Sequence, residues 1–186
     1  MSRNYSSKIR SKLLNIKGTF RRIIFRVLGL KMGSNVILGK INCQWPHSIS
    51  IGDKTVIEDD VYFKIHHPFS SENKIDIGSR VFIGHGCEFN CNTNITIGSD
   101  SMIASSTTIV DTGHELSLGI NINRQPCTVA AIVIEEDVWV GTQCVILQGV
   151  TIGKGSVIGA GSLVNKSVPP YQIWAGTPAK FIRNRS

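Results

Sequence analysis

The sequence predicts an all-β solenoid, a prism wound from short strands, over most of its length. An aliphatic residue recurs at every sixth position in several runs, the longest of which is Ile134, Val140, Ile146, Ile152, Ile158 and Val164. An Ile-x-Ile-Gly unit begins at Ile49, Ile75 and Ile95. Residues spaced by six do not share one face of a helix. In a coil of flat strands, each six-residue unit forms one side, and the aliphatic residue takes the same place on every side. The 18 glycines and the low aromatic content of 7% also fit a chain that turns often.

Three six-residue units complete one coil of 18 residues, so the repeat predicts where each coil begins. The expected coil starts are Met32, Ile51, Ile77, Ile97, Ile134 and Ile152. β-Branched side chains at these positions suit a strand and fill a narrow interior. We expect the prism to span residues 32–170, followed by a C-terminal tail over residues 171–186.

Some coil starts lie more than 18 residues apart, and the extra residues must leave the prism. Small insertions are expected near residues 69–73 and 92–94. The largest excess, 19 residues, lies between Ile97 and Ile134 and predicts a projecting loop over residues 115–133. Long loops on a rigid scaffold often carry function.

Residues 1–31 form a basic arm with apolar residues at helical spacing. Residues 1–52 contain ten Lys or Arg and no Asp or Glu, whereas the remaining residues contain ten basic and thirteen acidic ones. Such an amphipathic helix could cap the open end of the prism, or it could lie on an anionic membrane surface. No motif or aromatic interleaving accompanies the charge, so we expect no nucleic-acid partner.

The remaining composition favours a cytoplasmic protein, which the basic arm could hold at the inner face of the plasma membrane. The five cysteines include no CxxC pair, so we expect reduced thiols and no metal site. No stretch reaches the roughly 18–20 apolar residues of a membrane span, and Arg repeatedly interrupts the N-terminal apolar segment, unlike a signal peptide.

Several motifs in the second half of the chain carry a family resemblance. They are Thr112-Gly-His, a loop with Arg124 and Pro126, Ile132-Val-Ile-Glu-Glu-Asp-Val-Trp-Val-Gly-Thr, Ile146-Leu-Gln-Gly-Val-Thr-Ile-Gly and Trp174-Ala-Gly-Thr-Pro-Ala-Lys. They resemble the sugar O-acetyltransferases of the hexapeptide-repeat acyltransferase family, including galactoside, maltose and polysaccharide-biosynthesis acetyltransferases. The resemblance covers residues 75–183 well and residues 32–74 loosely. It implies a left-handed parallel β-helix of about six coils and a homotrimer with each active site between neighbouring prisms.

The same resemblance implies roles for individual residues. His114 matches the general base, whose neutral imidazole takes the proton of an acceptor hydroxyl as it attacks the thioester of acetyl-CoA. No cysteine matches a nucleophile position. The positions matching the acetyl-CoA site are Trp139, Thr142, Ala160, Gly161, Asn165, Lys166, Lys180 and Arg183. The positions nearest the acceptor site of the relatives are Glu88, Asn90 and Asn92.

Two nearby residues have no role settled by their position. Asp111, three residues before His114, could orient the imidazole ring or could simply form a turn. His85 also lies near the acceptor positions in the repeat.

We therefore expect an acetyl-CoA-dependent O-acetyltransferase acting on a saccharide, with a cell-surface polysaccharide or its precursor as acceptor. Alternatives in the same class are an amino group on a sugar and a hydroxyl of an antibiotic. A zinc hydratase resembling γ-carbonic anhydrase uses the same prism but needs three converging imidazoles, and no second histidine closely follows His114. A non-catalytic scaffold would leave His114 and the long loop without a use.

Overall fold

The computed structural model describes residues 18–70 and 73–186 and consists mainly of a three-faced prism of parallel strands. The first face contains the strands Lys31–Met32, Ile49–Ile51, Lys74–Ile77, Asn94–Ile97, Ile132–Ile134 and Thr151–Ile152. The second face contains Ile37–Leu38, Val56–Ile57, Phe82–Ile83, Met102–Ile103, Trp139–Val140, Val157–Ile158, Gln172–Gly176 and Ala179–Asn184. The third face contains Ile41–Cys43, Val61–Ile65, Glu88–Cys91, Thr108–Val110, Val145–Ile146 and Leu163–Val164.

The strand register confirms the predicted parallel β-helix and its coil starts. On the first face each predicted start pairs with the next, in the order Met32, Ile51, Ile77, Ile97, Ile134 and Ile152. The register follows from burial, because a shift by one residue would turn every core side chain outwards.

The core is a column of side chains inside the prism. Its aliphatic members are almost fully buried, and Phe63 stacks on Phe89 with ring centroids 5.0 Å apart. Each fully buried side chain of this size contributes roughly 1.5–3 kcal/mol to folding. The faces of the prism are therefore rigid.

Residues 171–186 are not a separate tail, contrary to expectation. Gln172–Gly176 pairs in parallel with Val157–Ile158, and Ala179–Asn184 returns antiparallel to it, so both strands extend the second face. Trp174 is partly buried against the core, and Arg185 binds the Asp137 carboxylate at 2.8 Å. This hairpin gives the last coil an ordered neighbour.

Residues 18–27 are helical and lie across the opposite end of the prism. The helix ends at Gly29, which has a φ of +96°. The Leu30 N–H donates to the Phe25 carbonyl and the Gly29 N–H to the Arg26 carbonyl, the arrangement of a Schellman cap. Among the described residues, no helix is long and apolar enough to cross a membrane.

Two short 3₁₀ helices complete the elements, Pro46–Ser48 before the second coil and Ile122–Arg124 within the projecting loop.

Candidate active site

The chain leaves the prism as an antiparallel hairpin. Thr112–His114 pairs with Cys127–Val129, so that His114 lies opposite Cys127. This corrects the expected loop boundaries of 115–133. The projection begins at Thr112, and Ile132–Ile134 already lies on the first face. The pairing occurs because residues leaving the prism lose their ladder partners and must find others.

The loop beyond the hairpin is ordered by one buried side chain. The Gln125 amide accepts a hydrogen bond from the Ser117 N–H at 2.8 Å and donates to the carbonyls of Ser117 and Ile120. His114 is therefore carried by a braced projection.

His114 itself is exposed at the base of the projection. Its Nδ1 lies 4.0 Å from the Cys127 Sγ, across the hairpin. An exposed imidazole can reach a proton on a bound hydroxyl, as a general base must. The sequence alone did not identify Cys127 as a neighbour of the candidate base. It is identified by the hairpin pairing, which places it opposite His114.

Asp111 does not contact His114 but is fully buried and bound to the previous coil. Its two carboxylate oxygens accept the backbone N–H groups of Asn92 and Thr93 at 2.7 and 2.8 Å. Burial raises the pKa of the Asp111 carboxyl, an effect larger than the lowering by these hydrogen bonds. The structure therefore gives Asp111 a structural role, in which its carboxylate joins the 92–93 turn to the base of the hairpin.

Replacing Asp111 by alanine is expected to destabilise the fold by about 1–3 kcal/mol. Two backbone N–H groups would lose their acceptor, and relief from burying a carboxyl would offset only part of that cost. Thermal denaturation followed by circular dichroism measures the change. The control is Glu115→Ala, which removes an exposed carboxylate from the same hairpin. An equal melting temperature for both variants would contradict this role.

The three acceptor candidates lie on or beside the third face, one coil before the hairpin. Glu88 and Asn90 point outwards from the strand Glu88–Cys91 and are half-buried. Asn92 lies in the turn bound by Asp111. His66, which sequence reasoning missed, places its Nε2 3.0 Å from the Asn90 Oδ1. His66 could have been found from its position, because it directly follows the strand Val61–Ile65, which pairs with Glu88–Cys91.

The edge between the second and third faces is here called the groove edge (residues 104–106, 141–143 and 159–161). Of the acetyl-CoA candidates, Trp139 lies on the second face, and Thr142, Ala160 and Gly161 lie on the groove edge. Trp139 points outwards and is 52% exposed. The Thr142 Oγ1 donates to the Ser105 carbonyl at 2.7 Å, and the Gly161 N–H donates to the Thr142 carbonyl. No atom lies within 4 Å of where a Cβ of Gly161 would stand, and neighbouring Ala160 is exposed. This edge is therefore open to a long, thin ligand.

The other four acetyl-CoA candidates lie away from the groove edge, as two pairs. Asn165 and Lys166 follow the last strand of the third face, at the edge between the third and first faces, here called the hairpin edge (residues 92–93, 111–112, 148–149 and 165–167). Gln148 on this edge donates to Thr128 of the hairpin at 2.9 Å. Lys180 and Arg183 are exposed on the strand Ala179–Asn184, which extends the second face.

The candidate residues of one chain thus lie on two different edges of the prism. His114, Asn92, Asn165 and Lys166 lie along the hairpin edge, whereas Trp139, Thr142, Ala160 and Gly161 lie along the second face and the groove edge. The third face lies between these two edges. Within the described ranges, no three His, Cys, Asp or Glu side chains gather as a metal site.

Comparison with known proteins places this geometry in a family. The family model for the bacterial transferase hexapeptide (six repeats) matches residues 131–166. Galactoside O-acetyltransferase of Escherichia coli K12 is 35% identical over 134 residues, which are 72% of this chain and 63% of that protein. The chain thus spans less than two thirds of that relative.

Two further relatives match over most of this chain. A putative colanic acid biosynthesis acetyltransferase of Escherichia coli K12 is 31% identical over 168 residues, covering 89% of this chain and 75% of the relative. The crystal structure of a hexapeptide-repeat-containing acetyltransferase from Vibrio cholerae, in complex with acetyl coenzyme A, is 31% identical with a TM-score of 0.62, covering 90% of this chain and 78% of that one. With its coil register, hairpin and open groove edge, the chain belongs to the hexapeptide-repeat acetyltransferase family.

Proposed function

We propose that this protein transfers the acetyl group of acetyl-CoA to a hydroxyl of a saccharide, with His114 as the general base. The observation that carries the proposal is the exposed imidazole of His114, held on a braced hairpin that projects from a rigid prism. The similar Vibrio cholerae acetyltransferase was crystallised with acetyl coenzyme A, which supports the same co-substrate here. The similarity to galactoside and colanic acid biosynthesis acetyltransferases supports a saccharide acceptor, from a cell-surface polysaccharide or its precursor.

The transfer is proposed to be direct. The acceptor oxygen attacks the thioester carbonyl as neutral His114 takes its proton, and the CoA thiolate leaves. A backbone N–H beside Thr142 would support the developing oxyanion. Burial raises the pKa of Cys91 to about 12 and that of Cys87 to about 11, which keeps both thiols neutral and unsuited to nucleophilic attack.

We further propose a homotrimer in which each site lies between two copies. One chain holds its candidate base and its groove on different edges, so a site made by one chain alone would be incomplete. Two exposed apolar surfaces among the described residues bear on this contact. One is the loop tip, with Leu118 99% exposed, and the other is an outward row on the second face: Ile37, Val56, Phe82, Met102, Trp139 and Val157.

These two surfaces suit each other. A contact between different patches of identical chains closes into a ring when the rotation between copies permits. The loop of one copy laid on the second face of the next would bury both apolar surfaces. It would also bring His114 of one copy towards Trp139 and Thr142 of its neighbour.

The binding roles follow from this arrangement. Trp139, Thr142, Ala160 and Gly161 would line the pantetheine arm, while Asn165 and Lys166 would contact the adenosine end from the other copy. Lys180 and Arg183 would face the phosphates, and Glu88, Asn90 and Asn92 would bind the acceptor.

Because acetyl-CoA is a cytoplasmic metabolite and the cysteines are free thiols, we propose that the protein works in the cytoplasm.

The test is an assay of the purified protein with acetyl-CoA and a panel of saccharides. We expect release of free CoA and a product 42 Da heavier, roughly the mass gain of one acetyl group, on neutral sugars or their oligomers. Amino sugars and hydroxylated antibiotics in the same panel distinguish O- from N-transfer. The product ester should be cleaved by mild alkali, whereas an alkali-stable amide would replace the proposal with N-transfer. Failure to bind acetyl-CoA would contradict it altogether.

A further inference from the structure

The N-terminal helix presents its apolar side to solvent and its cationic side to the protein. Residues at helical spacing form the outward side, here called the exposed helix face: Phe20, Ile23, Ile24, Val27 and Leu28. Val27 is 81% exposed and Phe20 is 66% exposed. Soluble helices normally turn such a stripe towards a core.

The inward side explains why the helix keeps this orientation. The guanidinium of Arg22 donates to the Val36 carbonyl at 2.7 Å, and that of Arg21 to the Leu38 carbonyl at 3.0 Å. Arg26 donates to the Gly33 carbonyl at 3.0 Å. These carbonyls belong to the first coil, whose strands are the outermost of their sheets among the described residues, so the arginines cap this end of the prism.

Phe25, partly buried, packs against the core on the same side. The capping expected from the sequence is therefore carried by arginines and one phenylalanine. The remaining apolar residues of the helix are left over for another contact.

We propose that the exposed helix face binds the surface of an anionic lipid bilayer. Five large apolar side chains on one helical stripe are the feature that inserts into the region between headgroups and acyl chains. The proposal stands apart from the acetyl-transfer reaction, since it uses none of the residues assigned to that site.

The charge around the face selects an anionic surface. The sequence carries no Asp or Glu before Asp53, against ten Lys or Arg. Lys31 is exposed beside the helix, and a polar pocket of about 340 Å³ next to the helix is lined by Arg22, Arg26, Ser34 and Asn35 among others. Each basic group near an anionic membrane adds to the attraction.

The same charge disfavours a second copy as the occupant. Two such helices packed face to face would bring two strongly basic regions together, and like charges oppose that contact. In the proposed homotrimer, by contrast, rotational symmetry about an axis along the prisms would place three exposed helix faces at one end. Three faces on one surface bind more tightly than one, because the second and third contacts are intramolecular.

The test is co-sedimentation of the full chain with lipid vesicles. We expect binding to vesicles of phosphatidylcholine mixed with phosphatidylglycerol, weak binding to phosphatidylcholine alone, and a loss of binding when salt is raised from about 0.1 M to about 1 M. Val27→Glu should weaken binding roughly tenfold, because it removes one apolar contact and adds a repelled charge.

Ile182→Glu is the matched control. Ile182 is 59% exposed, comparable to the outward helix residues, but lies on the strand Ala179–Asn184 at the other end of the prism. The control makes the same charge change and should bind as the unaltered protein does. Circular dichroism of both variants verifies that they fold.

Four results would overturn the proposal. The first is no binding to the anionic vesicles, and the second is equal binding to both kinds of vesicle. The third is equal loss of binding in both variants. The fourth is a fall in the particle mass of Val27→Glu by light scattering, which would make the exposed helix face a contact between copies.

Discussion

Alanine at position 114 is expected to reduce kcat for acetyl transfer by roughly 10²–10⁴-fold, the range typical for loss of a general base. The fold should be unaffected, because His114 is exposed and outside the prism core. The affinity for acetyl-CoA should change little, since the groove edge lies elsewhere on the chain. Steady-state kinetics and calorimetric titration with acetyl-CoA measure the two effects separately.

Cys127 supplies the necessary control, because its Sγ lies 4.0 Å from the His114 Nδ1 across the hairpin. Cys127→Ala should keep most of the activity if transfer is direct. Abolished activity in Cys127→Ala, with an acetylated thiol found in the unaltered protein by mass spectrometry, would replace direct transfer with a covalent intermediate. Activity retained in His114→Ala would refute the proposed base.

Mixing two inactive variants is expected to restore about one third of the activity in the mixed trimers. His114→Ala removes the base, and Ala160→Trp fills the groove edge at an exposed position without straining the backbone. If every site takes its base from one copy and its groove from the next, every trimer that contains both variants keeps about one of its three sites intact. If both come from one chain, no site is intact.

The experiment uses co-expression of the two variants with different affinity tags, so that only mixed assemblies are purified. The matched control combines His114→Ala with Asn165→Trp, because both residues lie on the hairpin edge of the same chain. When each variant is inactive alone, this pair should stay inactive after mixing. Restoration by both pairs, or by neither, would argue against a site shared between copies, as would a monomer by light scattering.

The six-residue repeat was sufficient to predict the architecture. Ile134 and Ile152 were correctly expected to stack because a core position recurs once per side of each coil. The sequence also predicted that His114 lies where the largest insertion begins, since the length of the insertion shows where the chain leaves the prism. These features depend on local periodicity alone.

The interior of an insertion has no such period, and there the expectations were less accurate. The hairpin begins at Thr112 because its strand pairs with Cys127–Val129, a contact between residues more than a dozen positions apart. Asp111 binds the 92–93 turn rather than His114 for a similar reason, since that turn belongs to the preceding coil. Spacing along the chain does not reveal such partners.

By itself the sequence determined the coils, their register and the placement of a histidine beside a projecting loop, because a buried position at every sixth residue fixes which residues stack. Only the tertiary structure decided which candidates share an edge and which side of the N-terminal helix faces outwards. Both depend on directions in space: Ala160 and Asn165 are five residues apart yet lie on different edges, and the arginines of the helix turn inwards because unpaired carbonyls of the first coil accept their hydrogen bonds.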